Sequence, residues 1–262
     1  MILAFSGWND AGEAASAAIE HLASIWPVQP IGEFDTEEFY DYQNNRPIVS
    51  VDESFNRSLT WPTTTVRGVS LPSYDRDLIL VSGVEPSLKW RSFVGQLLDL
   101  GEDLDISMVV CLGSLLADVP HTRPIPVTAT AARPEFGERL GLEMSRYEGP
   151  TGILGAIQDA CNQRDIDALS IWAAIPHYVS SPPCPKATLS LLNHLEDLQN
   201  ESLLVYEFAE SDVIKVKDIG LSEKQTRELI NFFHDNDVID YPDFEPYDDF
   251  DDDEDDYFED DE

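Results

Sequence analysis

The sequence predicts an α/β protein, a mostly parallel sheet with helices on both faces and a small helical C-terminal appendage. Two observations predict it. Short, continuously apolar runs, such as Ile2–Ser6 and Leu78–Ser82, end at a glycine and lead into stretches of helical apolar period. Strands apolar throughout are buried on both faces, as in a parallel sheet covered by helices.

Taken in order, Ile2–Ser6 is the first strand and Gly7–Gly12 a turn. Asp10 is placed to cap a helix whose apolar face is Ala11, Ala14, Ala15, Ala18, Leu22 and Ile25, ended by Pro27. Residues 28–72 are rich in Val, Ile, Thr and acids, which predicts two or three exposed or edge strands. Residues 77–83 repeat the buried strand ending in glycine, and Pro86 fits the first position of a helix with Trp90, Phe93, Val94, Leu97 and Leu98 on one face. Ile106–Leu112 is a third buried strand. A polar loop, Asp118–Pro126, and a short helix over Arg133–Arg139 follow. Gly149–Gly152 leads into a helix to about Asn162. Ala168–Ile175 is a further strand, and a helix over Lys186–Gln199 shows Ala187, Leu191, Leu195 and Leu198 on one face. Residues 201–220 read as weak strand or loop. Ser222 and Gln225 form a capping-box pair at the start of a last helix. The divisions expected are an α/β domain over 1–200, a mostly helical region over 201–239 and a disordered acidic tail over 240–262.

The chain has 262 residues and a formal charge of −35, from 51 acidic and 16 basic side chains. The last 23 residues hold 15 of the acids, so residues 1–239 stand at −20. Such a balance excludes nucleic acid as a partner, because phosphates are bound by clustered Lys and Arg. Three scattered cysteines make neither a disulfide framework nor a zinc site, and no apolar run approaches the length of a membrane span. The expectation is a soluble cytoplasmic protein without membrane insertion, metal or cofactor.

In open parallel sheets, ligands bind beyond the carboxyl ends of the strands. The loops predicted there carry Gly7, Trp8, Asn9 and Asp10; Gly83, Glu85 and Trp90; Gly113 and Ser114, then His121, Thr122 and Arg123; Gly149, Thr151 and Gly152; and His177 with Tyr178. Together they are the candidate cleft or partner surface. Gly7 and Gly12 have the glycine spacing of a P-loop, but Glu13 and Ala14 stand where Lys and Ser/Thr are required, and Asp10 already supplies an anion to the helix start. The glycines of 149–155 could hold an anion on free backbone N–H groups. Arg123, Arg133, Arg139 and Arg146 make residues 121–147 the least acidic stretch; either they face an anion or they pair with carboxylates at a subunit interface. Ser114 and His121 can be drawn as a nucleophile and base, without a Gly-x-Ser-x-Gly elbow to support the pair. Hydrogen-bonded structural histidines are the favoured reading.

These loops, taken in order, resemble the PAC2 (proteasome assembly chaperone 2) family in its actinobacterial form. The matching segments are Phe5–Gly12, Gly83-x-Glu85-Pro86 with Trp90, Gly113–Asp118 followed by Pro120–Pro124, Gly149–Ile153, and Trp172 with Pro176–Val179. The resemblance implies a phosphorylase/hydrolase-like fold and a homo-oligomer, with a trimer as first guess. It implies a non-enzymatic assembly chaperone or scaffold acting through protein–protein interaction, and no catalytic residue is carried over. The alternative is a small-molecule-binding protein or a hydrolase/phosphorylase-like enzyme, with Asn9, Glu85, Ser114, His121, Arg123 and His177 lining the strand-end cleft. The first strand starts at residue 1, which raises the expectation that the natural start lies upstream. From Glu201 onward the match is weak.

Overall fold

A computed structural model describes residues 1–71, 77–179 and 182–197. The expected helix from Ser222 and the acidic run lie outside the described residues.

An eight-stranded sheet forms the centre, in the order β2-β5-β6-β1-β7-β10-β8-β9. Its inner strands β6 (Leu78–Val84), β1 (Ile2–Ser6), β7 (Val109–Ala117) and β10 (Ala168–Pro176) are parallel neighbours. These are the apolar runs read from the sequence. Along β1, Ile2 and Ala4 face one core while Leu3 and Phe5 face the other, all fully or nearly fully buried. Helices α1 (Ala14–Ile25), α4 (Pro134–Leu140) and α6 (Pro185–Asp197) cover the first face; α3 (Trp90–Asp103) and α5 (Ile153–Gln163) cover the second. Ala14, Ala15 and Ala18 of α1 lie fully buried against the sheet, as their small size allows.

The flanks are antiparallel. β2 (Val28–Glu33) pairs with β5 (Thr64–Val69), β5 with β6, and β8 (Val127–Ala131) with β10; β9 (Glu143–Met144) lies parallel beside β8. The described residues of 28–72 thus hold four strands rather than two or three: β2, β5, and β3 (Ile48–Val51) and β4 (Arg57–Thr60), which pair with each other as a separate two-stranded ribbon. β4 and β5 are separated at Pro62, which cannot donate to a ladder. β5 is a half-buried interior strand and not an edge. A short helix, α2 (Thr36–Phe39), interrupts the same region, with Asp35 capping it through the N–H groups of Glu37 and Glu38. Phe34 and Phe39 on its flanks pack on Phe93 of α3, with ring centroids 4.4 and 5.3 Å away.

Other boundaries moved. α3 begins at Trp90, four residues after Pro86. Lys89 takes a left-handed conformation before it, and the Trp90 indole donates back to the Pro86 carbonyl at 2.5 Å. β7 runs through Gly113 and Ser114 to Ala117 instead of stopping at Leu112, because it pairs with β10 over its whole length. A Cβ at Gly113 would lie 2.6 Å from the Trp172 ring on β10, so only glycine lets that indole lie across the strand.

Cys111 on β7 and Cys161 on α5 are fully buried, and Cys184 is partly so; all three are free. Burial pushes the Cys161 thiol up to about 12, and raises Cys111 and Cys184 as well. The folded protein at pH 8 is therefore expected to react with Ellman's reagent far more slowly than a free thiol, and to release three equivalents on denaturation. Rapid labelling of two or more thiols in the native state would contradict the burial of Cys111 and Cys161.

Candidate functional site

The five loops do meet the carboxyl edge of the parallel strands, but they form two separate groups. The first is buried and centres on β1. Gly7 and Trp8 are exposed, whereas Asn9 and Asp10 turn inward with 1% and 6% exposure. The Asn9 side-chain amide donates to Glu85 Oε1 at 2.7 Å, and the same oxygen accepts the Ile153 backbone N–H, the first of α5, at 2.8 Å. Glu85 follows β6, so one carboxylate ties the ends of β1 and β6 to the start of α5. A carboxylate suits that place, where unpaired N–H groups and the helix dipole favour negative charge. Gly152 stands just before the helix, and a Cβ there would overlap the Asn9 amide at 2.3–2.4 Å. The anion site expected on the free N–H groups of this turn is thus held by Glu85 at its first helical N–H. Asn9 Oδ1 is buried without a hydrogen-bond partner.

Asp10 caps α1, though not from the adjacent position. A single 3-10 turn, Ala11–Glu13, intervenes, and Glu13 in a left-handed conformation immediately precedes the helix. Asp10 Oδ1 accepts from the backbone N–H groups of Ala15 and Ser16 at 2.8 and 3.2 Å, and Oδ2 accepts the Ser16 hydroxyl at 2.5 Å. Burial raises the Asp10 pKa; the hydrogen bonds from Ser16 and Ala15 oppose that rise. Ser114 is fully buried beside it and donates to the Ala11 carbonyl at 2.8 Å.

The second group is exposed. His121 Nδ1 and backbone N–H both contact the Tyr178 hydroxyl, at 3.1 and 2.8 Å. The hydroxyl thus accepts from the backbone N–H and shares a hydrogen bond with the ring nitrogen. The His177 ring packs edge-on against Tyr178, and its Nδ1 lies 3.4 Å from the Ala117 carbonyl. Lys186 donates to the carbonyls of His121 and Arg123, both at 2.9 Å, and so fixes the loop that also carries Thr122. The Ser114–His121 pair drawn from the sequence is not made, because the serine hydroxyl is spent on Ala11 in the core and the histidine is on the surface. Thr151 is exposed beside Gly149, and Trp90 is partly buried above Pro86. Among the described residues no group of three His, Cys, Asp or Glu side chains is arranged to hold a metal ion.

Two of the four arginines pair with carboxylates, as one alternative had it, but within the chain. Arg133 pairs with Asp165 and Asp167, and Arg139 with Asp167 at 3.3 Å, all within the chain. These carboxylates precede β10, at the amino edge of the sheet. Only Arg123 of the four stands in the strand-end loops described above.

Sequence reasoning named Trp8 and Tyr178 but missed the other exposed apolar residues of this edge, Leu115, Leu116 and Val179. Trp8, Leu115, Leu116, Tyr178 and Val179 are exposed around the two polar groups. The adjacent leucines were legible, since a strand that alternates faces cannot bury both beyond the end of its covering helices. Lys186 was also missed.

The strand-end polar groups of this α/β sheet thus bind one another or the backbone, and apolar side chains are exposed beside them. The sequence model of the PAC2 family matches residues 4–210. The chain belongs to that family. It is similar to a PAC2 family protein from Streptomyces avermitilis, at 45% identity over 88% of this chain and 98% of the other, with a TM-score of 0.74. It is similar also to a proteasome-assembly chaperone homologue from Mycobacterium tuberculosis, at 42% identity over 87% and 98%, TM-score 0.73. An archaeal proteasome activator from Pyrococcus furiosus, at 15% identity over 89% and 92% with a TM-score of 0.62, shares the fold. A comparison with curated proteins finds no match. No helix among the described residues is long and apolar enough to cross a membrane.

Proposed function

We propose that this protein is a non-enzymatic assembly chaperone or scaffold that binds another protein with the carboxyl edge of its sheet. The observation that carries this reading is the division of that edge. Asn9, Asp10 and Ser114 are buried and, with the half-buried Glu85, bond inward, while the apolar side chains of Trp8, Leu115, Leu116 and Val179 are exposed beside the polar His121, Arg123 and His177. Clustered exposed apolar groups mark protein contacts more often than catalytic centres. The similarity to a proteasome-assembly chaperone homologue makes proteasome subunits the first partner to test.

Purified α-subunits of the host proteasome, titrated against this protein in a sedimentation assay, are expected to form a complex. The double variant Trp8→Asp/Leu116→Asp should weaken it at least tenfold while leaving the circular dichroism spectrum unchanged. No complex with the wild type, or equal binding by the variant, would overturn the reading.

A second reading, a small molecule held at the same edge, is favoured by one atom. Asn9 Oδ1 is a buried acceptor without a donor, next to the half-exposed Glu85 carboxylate. A thermal-shift screen of nucleosides, sugars and acyl compounds tests it, with Asn9→Ala and Glu85→Gln abolishing any true hit.

A further inference from the structure

β7 and β10 end together, with Pro176 beside Ala117, so the loops that follow them leave from one point. The two loops are clamped to each other. The Arg123 N–H closes a turn on the Pro120 carbonyl at 3.3 Å, and the His177 N–H donates to the Ala117 carbonyl at 3.1 Å. The His121 N–H donates to the Tyr178 hydroxyl, and Lys186 of α6 holds the carbonyls of His121 and Arg123. The backbone of this turn is thus bonded from within, and the Arg123 guanidinium takes no part in holding it.

The side chains presented here are of two kinds. His121, Arg123 and His177 are exposed, and so are Leu116, Tyr178 and Val179 from the same two strand ends. Arg123 differs from the arginines elsewhere on the sheet. Arg133, Arg139 and Arg164 each reach a carboxylate of this chain. Arg123 reaches none among the described residues, although Asp118 stands in the same loop. In a chain with 51 acidic side chains and 16 basic ones, a carboxylate for that guanidinium is easily supplied from within. It is left open instead, on a turn that is held in place.

We infer that this turn receives an acidic segment of a partner protein, with a carboxylate on Arg123 and an adjoining apolar side chain against Leu116, Tyr178 and Val179. The inference rests on the reading that this edge docks another protein, and it names the chemistry of what docks. Charge selects that occupant. A guanidinium takes a carboxylate through two parallel hydrogen bonds, and the imidazoles of His121 and His177 stand on either loop as further donors. A basic segment would meet Arg123 and Lys186, with Asp118 the one acid of residues 115–124 to receive it. A second copy meeting the turn about a two-fold axis would set Arg123 against Arg123. Residues 1–239 stand at −20, so an acidic segment is repelled over most of the surface. Accepting it at one turn alone fixes the orientation in which the partner docks.

The test titrates the full chain into a short fluorescein-labelled peptide in which glutamate alternates with leucine, followed by anisotropy. The wild type should bind at about 50 mM salt and at least threefold more weakly at about 300 mM, as screening of an exposed pair requires. Arg123→Glu should lower the affinity at least tenfold and Arg123→Gln by less. Both should keep the circular dichroism spectrum and melting temperature, because that side chain supports nothing else in the fold. Arg139→Gln, the same change at the opposite edge of the sheet, should keep the wild-type affinity. No binding by the wild type at about 50 mM salt overturns the inference, as does undiminished binding by Arg123→Glu or an equal loss in Arg139→Gln. A wild-type mass in light scattering that falls in Arg123→Glu would give the turn to a second copy and overturn it too. The docking reading is separable. Binding of α-subunits that is lost in Trp8→Asp/Leu116→Asp but unchanged in Arg123→Glu would keep that reading and overturn this inference. Peptide binding that Arg123→Glu abolishes, with no α-subunit complex, would support the inference and remove the proteasome as the partner.

Discussion

Adding one methyl group at Gly83 is expected to cost about 3 kcal/mol of stability, the upper part of the usual range for overpacking. A Cβ there would stand 2.1 Å from the Thr63 carbonyl oxygen and 2.5 Å from Thr64 Cα, where β5 begins its pairing with β6. Both neighbours are backbone, so no rotamer change can relieve the overlap, and the two strands must part. Gly113→Ala is the informative comparison. Its obstacle is the Trp172 ring, a side chain that can turn aside, so about 1 kcal/mol is expected. Urea unfolding followed by tryptophan fluorescence measures both. A Gly83→Ala midpoint shift no larger than that of Gly113→Ala would refute the distinction between backbone and side-chain obstacles.

Asp10→Ala is expected to cost a similar amount, about 3 kcal/mol, because it strips two backbone N–H groups at the start of α1 of their acceptor. Asp10→Asn should recover more than half of that loss, since its amide oxygen can replace Oδ1 at Ala15. The two variants also separate capping from charge. Burial raises the Asp10 pKa, so its protonation favours the folded state. The associated stability is fully present below the ordinary carboxylate value and is lost as pH rises through the raised value. The stability of the wild type relative to Asp10→Asn should therefore increase as pH falls through that window. A difference independent of pH from 7 to 3 would show that Asp10 titrates as it does in the unfolded chain.

The sheet was legible because its inner strands obey one rule: apolar on both faces and closed by a turn. Ile2–Ser6 and Ala168–Ile175 needed no tertiary information. The antiparallel flank was harder, since Val28–Glu33 and Thr64–Val69 mix polar and apolar residues according to which face is covered, and the covering elements are distant in sequence. Asp10 was recognised as a cap, but the extra turn at Ala11–Glu13 could not be seen, because a left-handed Glu13 leaves no compositional mark. The strand-end loops were located by fold logic alone. What they do with their side chains was not legible. Asn9 reaches Glu85 across 76 positions, and Ser114 is withdrawn from His121 by the carbonyl of Ala11, 103 positions away. The arginines show the same limit: Arg133 finds Asp165 and Asp167 only because β8 runs back antiparallel to β10.

The place where the ribbon joins the sheet has its own consequence. β5 runs antiparallel to β6 and begins opposite Gly83, so the whole insertion from Phe34 to Thr63 leaves from the carboxyl edge, the edge that carries Trp8, Leu116 and Tyr178. A partner docked on that rim would therefore also lie beside the root of the insertion, where the Tyr42 and Trp61 rings pack with centroids 4.9 Å apart, and its footprint would extend past the ends of the parallel strands.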